Sequence, residues 1–223
     1  MTLGIINRIL TLFRDFNWVI IPAAFFSVVF HEISHGYTAL LMGDKTAKYS
    51  GRLSLNPLKH FDLLGMICMV LFGVGWAKPV PVNPFFFRRK KLGMILVAIS
   101  GPLSNILMAT AALFITRLVI AVKIQNELLA LLFYVFIEFL ISFAFLNIGL
   151  AVFNLLPIPP LDGSKILFSI LPPKMNNIIL RYEHFGMLLL IVLLNLPFFN
   201  NFLFQIRSGL FYAIQALVTL ILG

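Results

Sequence analysis

The sequence predicts an all-α polytopic membrane protein of about five to six membrane helices, with a small β-hairpin and a re-entrant segment after the helix that carries the candidate site. Three observations lead there. Of 223 residues, 61% are hydrophobic and only 11% charged, and the mean hydropathy is +1.01, far more apolar than a soluble domain of this size. Apolar runs of bilayer length recur along the chain, and the longest hydrophilic stretch, about Gly43 to Asp62, leaves no room for an appended soluble domain. The basic residues that give a net charge of +9 sit at the ends of those runs, where Lys and Arg report orientation and contact with anionic headgroups rather than nucleic acid. A single cysteine, Cys68, excludes an internal disulfide and a cysteine-built metal site.

Taken in order, Leu3 to Phe16 carries apolar residues at Ile6, Ile9, Leu10 and Phe13 with Asn7, Arg8, Arg14 and Asp15 on the other faces, the pattern of a helix lying in the interface. No small-residue cleavage site precedes the candidate site, so no signal peptide is expected. Trp18 marks an interface, and Trp18 to Met42 is long enough to cross. Beyond Gly43 the period changes: Ala47, Tyr49, Leu53 and Leu55 alternate with Lys48, Ser50, Arg52, Ser54 and Asn56, and Gly51 interrupts. That rhythm predicts a half-buried β-hairpin.

Leu63 to Trp76 is apolar but about 14 residues long, roughly 21 Å as a helix against a hydrocarbon core of about 30 Å, so it is expected to be re-entrant. A proline-punctuated stretch, Lys78 to Pro84, and the basic cluster Arg88 to Lys91 lead into a span at Leu92 to Thr116, where Gly101, Ser104 and Ala109 allow another helix to approach closely. The next span, Leu128 to Leu156, ends at Asn154-Leu155-Leu156-Pro157-Ile158-Pro159-Pro160-Leu161-Asp162-Gly163. Prolines there forbid helix, and such backbone is viable at membrane depth only beside protein or a water-filled cavity. Phe185 to Phe199 and Phe204 to Leu222 read as two further spans joined by a turn at Asn200-Asn201.

The chemistry concentrates in His31-Glu32-Ile33-Ser34-His35. On a helix the two histidines share a face one turn apart, so both imidazoles can bind one metal while Glu32 turns toward the bound water. Ionisable groups in a segment of hydrocarbon length are costly, which makes function the default reading. Catalytic zinc usually takes three protein ligands. Asp162, on broken backbone at the end of a span, is the leading third ligand, although Asp-Gly is also a common turn dipeptide. Glu138 in mid-helix reads as a polar contact between helices, His184 as interfacial, and His60 as solvated or headgroup-facing. If His35 and Asp162 share a metal, an odd number of crossings must separate them. The span at Leu92 to Thr116 supplies one, so Leu63 to Trp76 should not cross. That topology puts twelve Lys/Arg on the face of the site and five on the other, a bias that predicts a cytoplasmic site.

These residues, with Gly43-Asp44, Gly51 to Pro57, Gly75 to Pro84, Gly101-Pro102-Leu103-Ser104-Asn105 and Asn154 to Gly163, resemble the site-2 protease family of intramembrane zinc metalloproteases, in its short branch without PDZ or CBS domains, over about residues 18 to 170. The resemblance implies one Zn²⁺ held by His31, His35 and Asp162, Glu32 as acid/base, Asn154 on the substrate backbone, and cleavage of transmembrane protein substrates in the lipid bilayer of the cell. Asn105 reads as a helix-packing residue. An exposed edge strand near Ala47 to Leu55, including Tyr49 and Leu53, would hold the substrate extended. The expected organisation is a single integral-membrane protease domain over residues 1–223, with a catalytic core at about 18–170 and a C-terminal helical pair at about 185–222. Two other classes fit parts of the pattern. A transporter built on the broken helix would carry internal repeats, and none is found; an inactive relative that only binds membrane segments fits poorly with an intact Glu32.

Overall fold

A computed structural model describes residues 20–60, 62, 65, 78–122, 124–172 and 183–223. Among them the chain forms seven α-helices: α1 (Ile20–Met42), α2 (Thr46–Tyr49), α3 (Lys90–Ile120), α4 (Glu127–Asn154), α5 (Asp162–Ile170), α6 (Glu183–Leu194) and α7 (Pro197–Leu222), with 3₁₀ turns at Pro57–Lys59 and Pro84–Phe86. The ends of the long helices follow from local chemistry. Asn126 caps α4 by accepting from the Leu129 N–H at 3.0 Å, Pro197 opens α7 at a position where a missing N–H costs nothing, and the prolines after Asn154 stop α4.

Helix α3 packs against both α1 and α4, α5 rests on α3, and α7 lies against α3 and α4. Where these helices cross, the core is built on small residues, Ala23 of α1, Ala109 and Ala112 of α3 and Ala144 of α4, with Leu113, Phe143, Ile148 and Ile214 filling around them. Small side chains let backbones approach, which is how helices associate where lipid removes the hydrophobic drive. Arg207 of α7 stacks on Phe145 of α4, 3.9 Å from the ring centroid.

Among the described residues three helices, α3, α4 and α7, are long and apolar enough to cross a membrane, where five to six were expected over the whole chain. Helix α1 has the length at 23 residues, but His31, Glu32 and His35 lower its hydropathy. The C-terminal pair divides differently from the sequence reading. Helix α6 has only 12 residues, about 18 Å and too short to cross, and Asn200-Asn201 lie inside α7 instead of forming the turn, which falls at Asn195 and Leu196. The interfacial helix expected at 3–16 and nearly all of the re-entrant segment at 63–76 lie outside the described residues. The flanks of that segment meet, the Lys78 N–H donating to the His60 carbonyl at 2.9 Å, and the Arg88 N–H donates to the Met42 carbonyl at 2.9 Å. The end of α1 and the start of α3 are therefore neighbours.

The β-hairpin is a correction: no strand occurs among the described residues. The Asp44 carboxylate accepts from the backbone N–H and the hydroxyl of Thr46, an Asx turn that leads directly into α2. The amides of Tyr49, Ser50 and Arg52 then bond locally to Lys45, Thr46 and Ala47 carbonyls at 3.0 Å each, leaving none to a neighbouring strand. Gly51 turns the chain away at φ +62°. Only Ala47 of the alternating set is fully buried, while Tyr49 and Leu55 are 78% and 66% exposed, so no strand face exists for them to form.

Candidate metal centre

Helix α1 presents His31 and His35 one turn apart and buried, with their Nε2 atoms 3.0 Å from each other. Asp162, the first residue of α5, places Oδ2 3.1 Å from His31 Nε2 and 3.0 Å from His35 Nε2. Its delivery depends on two features of the broken segment. Leu161 is extended and turns the chain into α5, and Gly163 lies so close to the end of α4 that a Cβ would stand 2.2 Å from the Leu155 carbonyl oxygen. The remaining Asp162 oxygen, Oδ1, accepts from Lys165 Nζ at 2.8 Å.

The donor set fits a metal. His35 Nδ1 lies 2.7 Å from the Val97 carbonyl, which can only accept, so Nδ1 carries the proton and Nε2 faces the group bare. His31 Nδ1 donates to Asn105 Oδ1 at 2.6 Å. With both imidazoles neutral, two ring nitrogens and a carboxylate oxygen converge as acceptors, a donor set that a cation fits. Their 3.0–3.1 Å separations are slightly tighter than the about 3.3 Å expected around tetrahedral zinc with ligands at 2.0–2.1 Å. Gly101 leaves the room on the α3 side, since a Cβ there would stand 2.5 Å from His35 Cε1 and 2.6 Å from His31 Nε2.

Glu32, half-buried beside this group in sequence, accepts from the Val80 N–H through Oε2 at 2.7 Å. The segment around Val80 is itself tied down, Arg52 donating to the Lys78 and Pro79 carbonyls at 2.6 and 3.1 Å. Asn154 closes α4 with its amide nitrogen on the Leu150 carbonyl at 3.0 Å. Tyr49 sits exposed on α2, and Leu53 packs its methyl group over Gly36, next to His35.

Other sequence expectations shift. Glu138 lies exposed on the outside of α4 rather than between helices. His60 is buried, 1% exposed, with Nε2 2.8 Å from the Ser54 carbonyl, because the loop after α2 folds over it. The His184 side chain is outside the described residues. Asn105, read as packing, contacts a candidate ligand. Asn147, Lys165 and Val80 were not singled out at all; only Asn147 gave a signal, as a carboxamide within an apolar run.

A helix-borne histidine pair closed by an aspartate from a broken helix end, among apolar helices long enough to cross a membrane, defines a candidate metal centre in a membrane protein. The chain belongs to peptidase family M50, the site-2 protease family, whose sequence model matches residues 19–196. Similar curated proteins carry the name "Putative zinc metalloprotease": YwhC of Bacillus subtilis (strain 168), 40% identical over 171 residues, which is 77% of either chain; Rip2 of Mycolicibacterium smegmatis, 30% identical over 84% of this chain and 71% of its own; and MJ0611 of Methanocaldococcus jannaschii, 32% identical over 62% of this chain and 63% of its own. No solved structure matches the chain.

Proposed function

We propose that this protein is a zinc metalloendopeptidase that hydrolyses peptide bonds within or near transmembrane segments of membrane proteins, as in regulated intramembrane proteolysis. The observation that carries this reading is the convergence of His31 Nε2, His35 Nε2 and Asp162 Oδ2 on one point at 3.0–3.1 Å, one residue from a glutamate. When bound, zinc supplies a water whose pKa falls toward about 7 and polarises the scissile carbonyl.

The chain's own residues do the rest. His31, His35 and Asp162 hold the ion, and the Val80 N–H fixes Glu32 Oε2, leaving Oε1 to take the water's proton and return it to the leaving amine as the C–N bond breaks. Asn154, at the end of α4, is assigned to the substrate backbone. Tyr49 and Leu53 reach a substrate as side chains of a helical turn and its loop, since the edge strand that first suggested them is absent among the described residues. The partners are a transmembrane protein substrate and the lipid bilayer, without nucleic acid, and the excess of Lys and Arg on the site's face supports a cytoplasmic orientation in the cell membrane.

The test is zinc content of the purified protein and of Asp162→Ala, with cleavage of a transmembrane test segment by wild type and Glu32→Gln. One zinc per chain, its loss in Asp162→Ala and cleavage only with Glu32 present support the proposal. Undiminished cleavage by Glu32→Gln sinks the assignment of the base.

A further inference from the structure

We propose that Asn105 and Asn147, with Ser27, are positioning residues that decide which ring nitrogen of His31 carries its proton, and so keep His31 Nε2 bare for the metal. The inference rests on the reading of His31, His35 and Asp162 as metal ligands.

The four residues form one buried chain across α1, α3 and α4, and Ser27, Asn105 and Asn147 are each 0% exposed. Its direction is set at three places by backbone carbonyls, which can only accept. Asn147 Nδ2 lies 2.8 Å from the Phe143 carbonyl and 2.7 Å from Ser27 Oγ, and Ser27 Oγ in turn donates to the Ala23 carbonyl at 2.7 Å. Both hydrogens of the Asn147 amide are thereby used, so its Oδ1 must be the end that faces Asn105. Asn105 Nδ2 donates to that oxygen at 2.7 Å and to the Ser27 carbonyl at 3.3 Å. With its donors directed away, Asn105 offers only Oδ1 to His31 Nδ1, 2.6 Å off.

An acceptor at Nδ1 holds the proton there. Were Asn105 flipped, its NH₂ would face Nδ1, the proton would move to Nε2, and the lone pair that points at Asp162 and His35 would be lost. Without Asn147, Asn105 is held against the flip only by its long 3.3 Å bond to the Ser27 carbonyl, because a carboxamide has an acceptor and a donor at nearly equal reach. Asn147 supplies the shorter constraint at 2.7 Å, from a different helix and without touching the metal ligands.

The experiment measures zinc affinity of the full-length protein by competition with a chromophoric chelator, together with the d–d spectrum of the cobalt-loaded form; no proteolysis is read. Asn105→Leu keeps the branched shape of the side chain and removes the acceptor, and is expected to weaken affinity by about 10- to 100-fold, the usual range for losing the hydrogen-bond partner of a metal-ligating histidine. Asn105→Asp keeps an acceptor on Nδ1 and is expected to bind more tightly than Asn105→Leu. Asn147→Leu frees Asn105 to flip and is expected to lose affinity, and adding Asn105→Asp to it restores binding, because a carboxylate has no NH₂ to present.

A packing role predicts the reverse order, with the leucine tolerated and the buried carboxylate disruptive. That order, or failure of the double variant to recover, overturns the proposal. Wild type that holds zinc while Asn105→Leu binds equally well overturns this inference alone. Wild type without zinc overturns the ligand reading and this inference together.

Discussion

Gly101 lies against His31 so closely that a Cβ would stand 2.6 Å from the imidazole Nε2. The same atom would be 2.5 Å from His35 Cε1, so one hydrogen on α3 is what lets two rings of α1 reach a common point. Gly101→Ala should push both imidazoles off their positions, weakening zinc binding at least about tenfold and costing about 1–3 kcal/mol of stability through overpacking. Chelator competition and thermal unfolding check this. Unchanged affinity would mean that the rings sit elsewhere when the ion is bound.

Asp162 and Lys165 separate a ligand from its support. Asp162→Ala should reduce zinc affinity by more than about 100-fold, beyond what an outer partner's loss costs. Lys165, whose side chain is 46% exposed, makes a solvent-screened contact, and Lys165→Ala should change affinity by less than about tenfold. Equal losses in the two variants would place the lysine inside the site's electrostatics.

Glu32→Gln retains an oxygen to accept from the Val80 N–H, so helix α1 and the ion should be unaffected. Loss of the proton-transfer group should slow cleavage by about 10²- to 10⁴-fold. A cleavage assay on the zinc-loaded variant decides, and a variant that loses zinc as well would show that Glu32 holds the site together.

Asp44 gives a pH dependence unconnected with metal. Burial pushes its carboxyl up, but hydrogen bonds from Asn83 and Thr46 outweigh this and hold it below the usual carboxylate range. A carboxyl depressed in the folded state contributes stability that is complete above its unfolded pKa of about 4 and is lost as pH falls through the folded value. The protection factor of the Asn83 amide, which donates to Asp44 Oδ2 at 2.6 Å, should therefore fall on acidification below about pH 4, and Asp44→Asn should remove that dependence.

Much of this protein was legible in its residues one helix at a time. The spacing of His31 and His35, the proline break before Asp162 and the boundaries of α3 and α4, within a few residues, all arise from interactions within single segments, which periodicity and proline chemistry capture. The same local reasoning misread residues 46–55: alternation fits a strand only if another strand is present to receive the amides, and the Asp44 carboxylate supplied a closer partner. It also divided α6 from α7 at Asn200-Asn201, although Pro197 is the better helix start.

By itself the sequence determined that the chain is a helical membrane protein, that two histidines share one face, and that an aspartate waits at a broken helix end. The tertiary structure alone decided that Gly101 faces the rings, that His31, Asn105 and Asn147 stand in one hydrogen-bonded chain, and that His60 is buried while Glu138 faces outward. The reason is physical. Positions along one helix follow from its rise and turn, but distances between helices depend on how small residues such as Ala23, Ala109 and Ala144 let them pack, and no spacing within one segment records that.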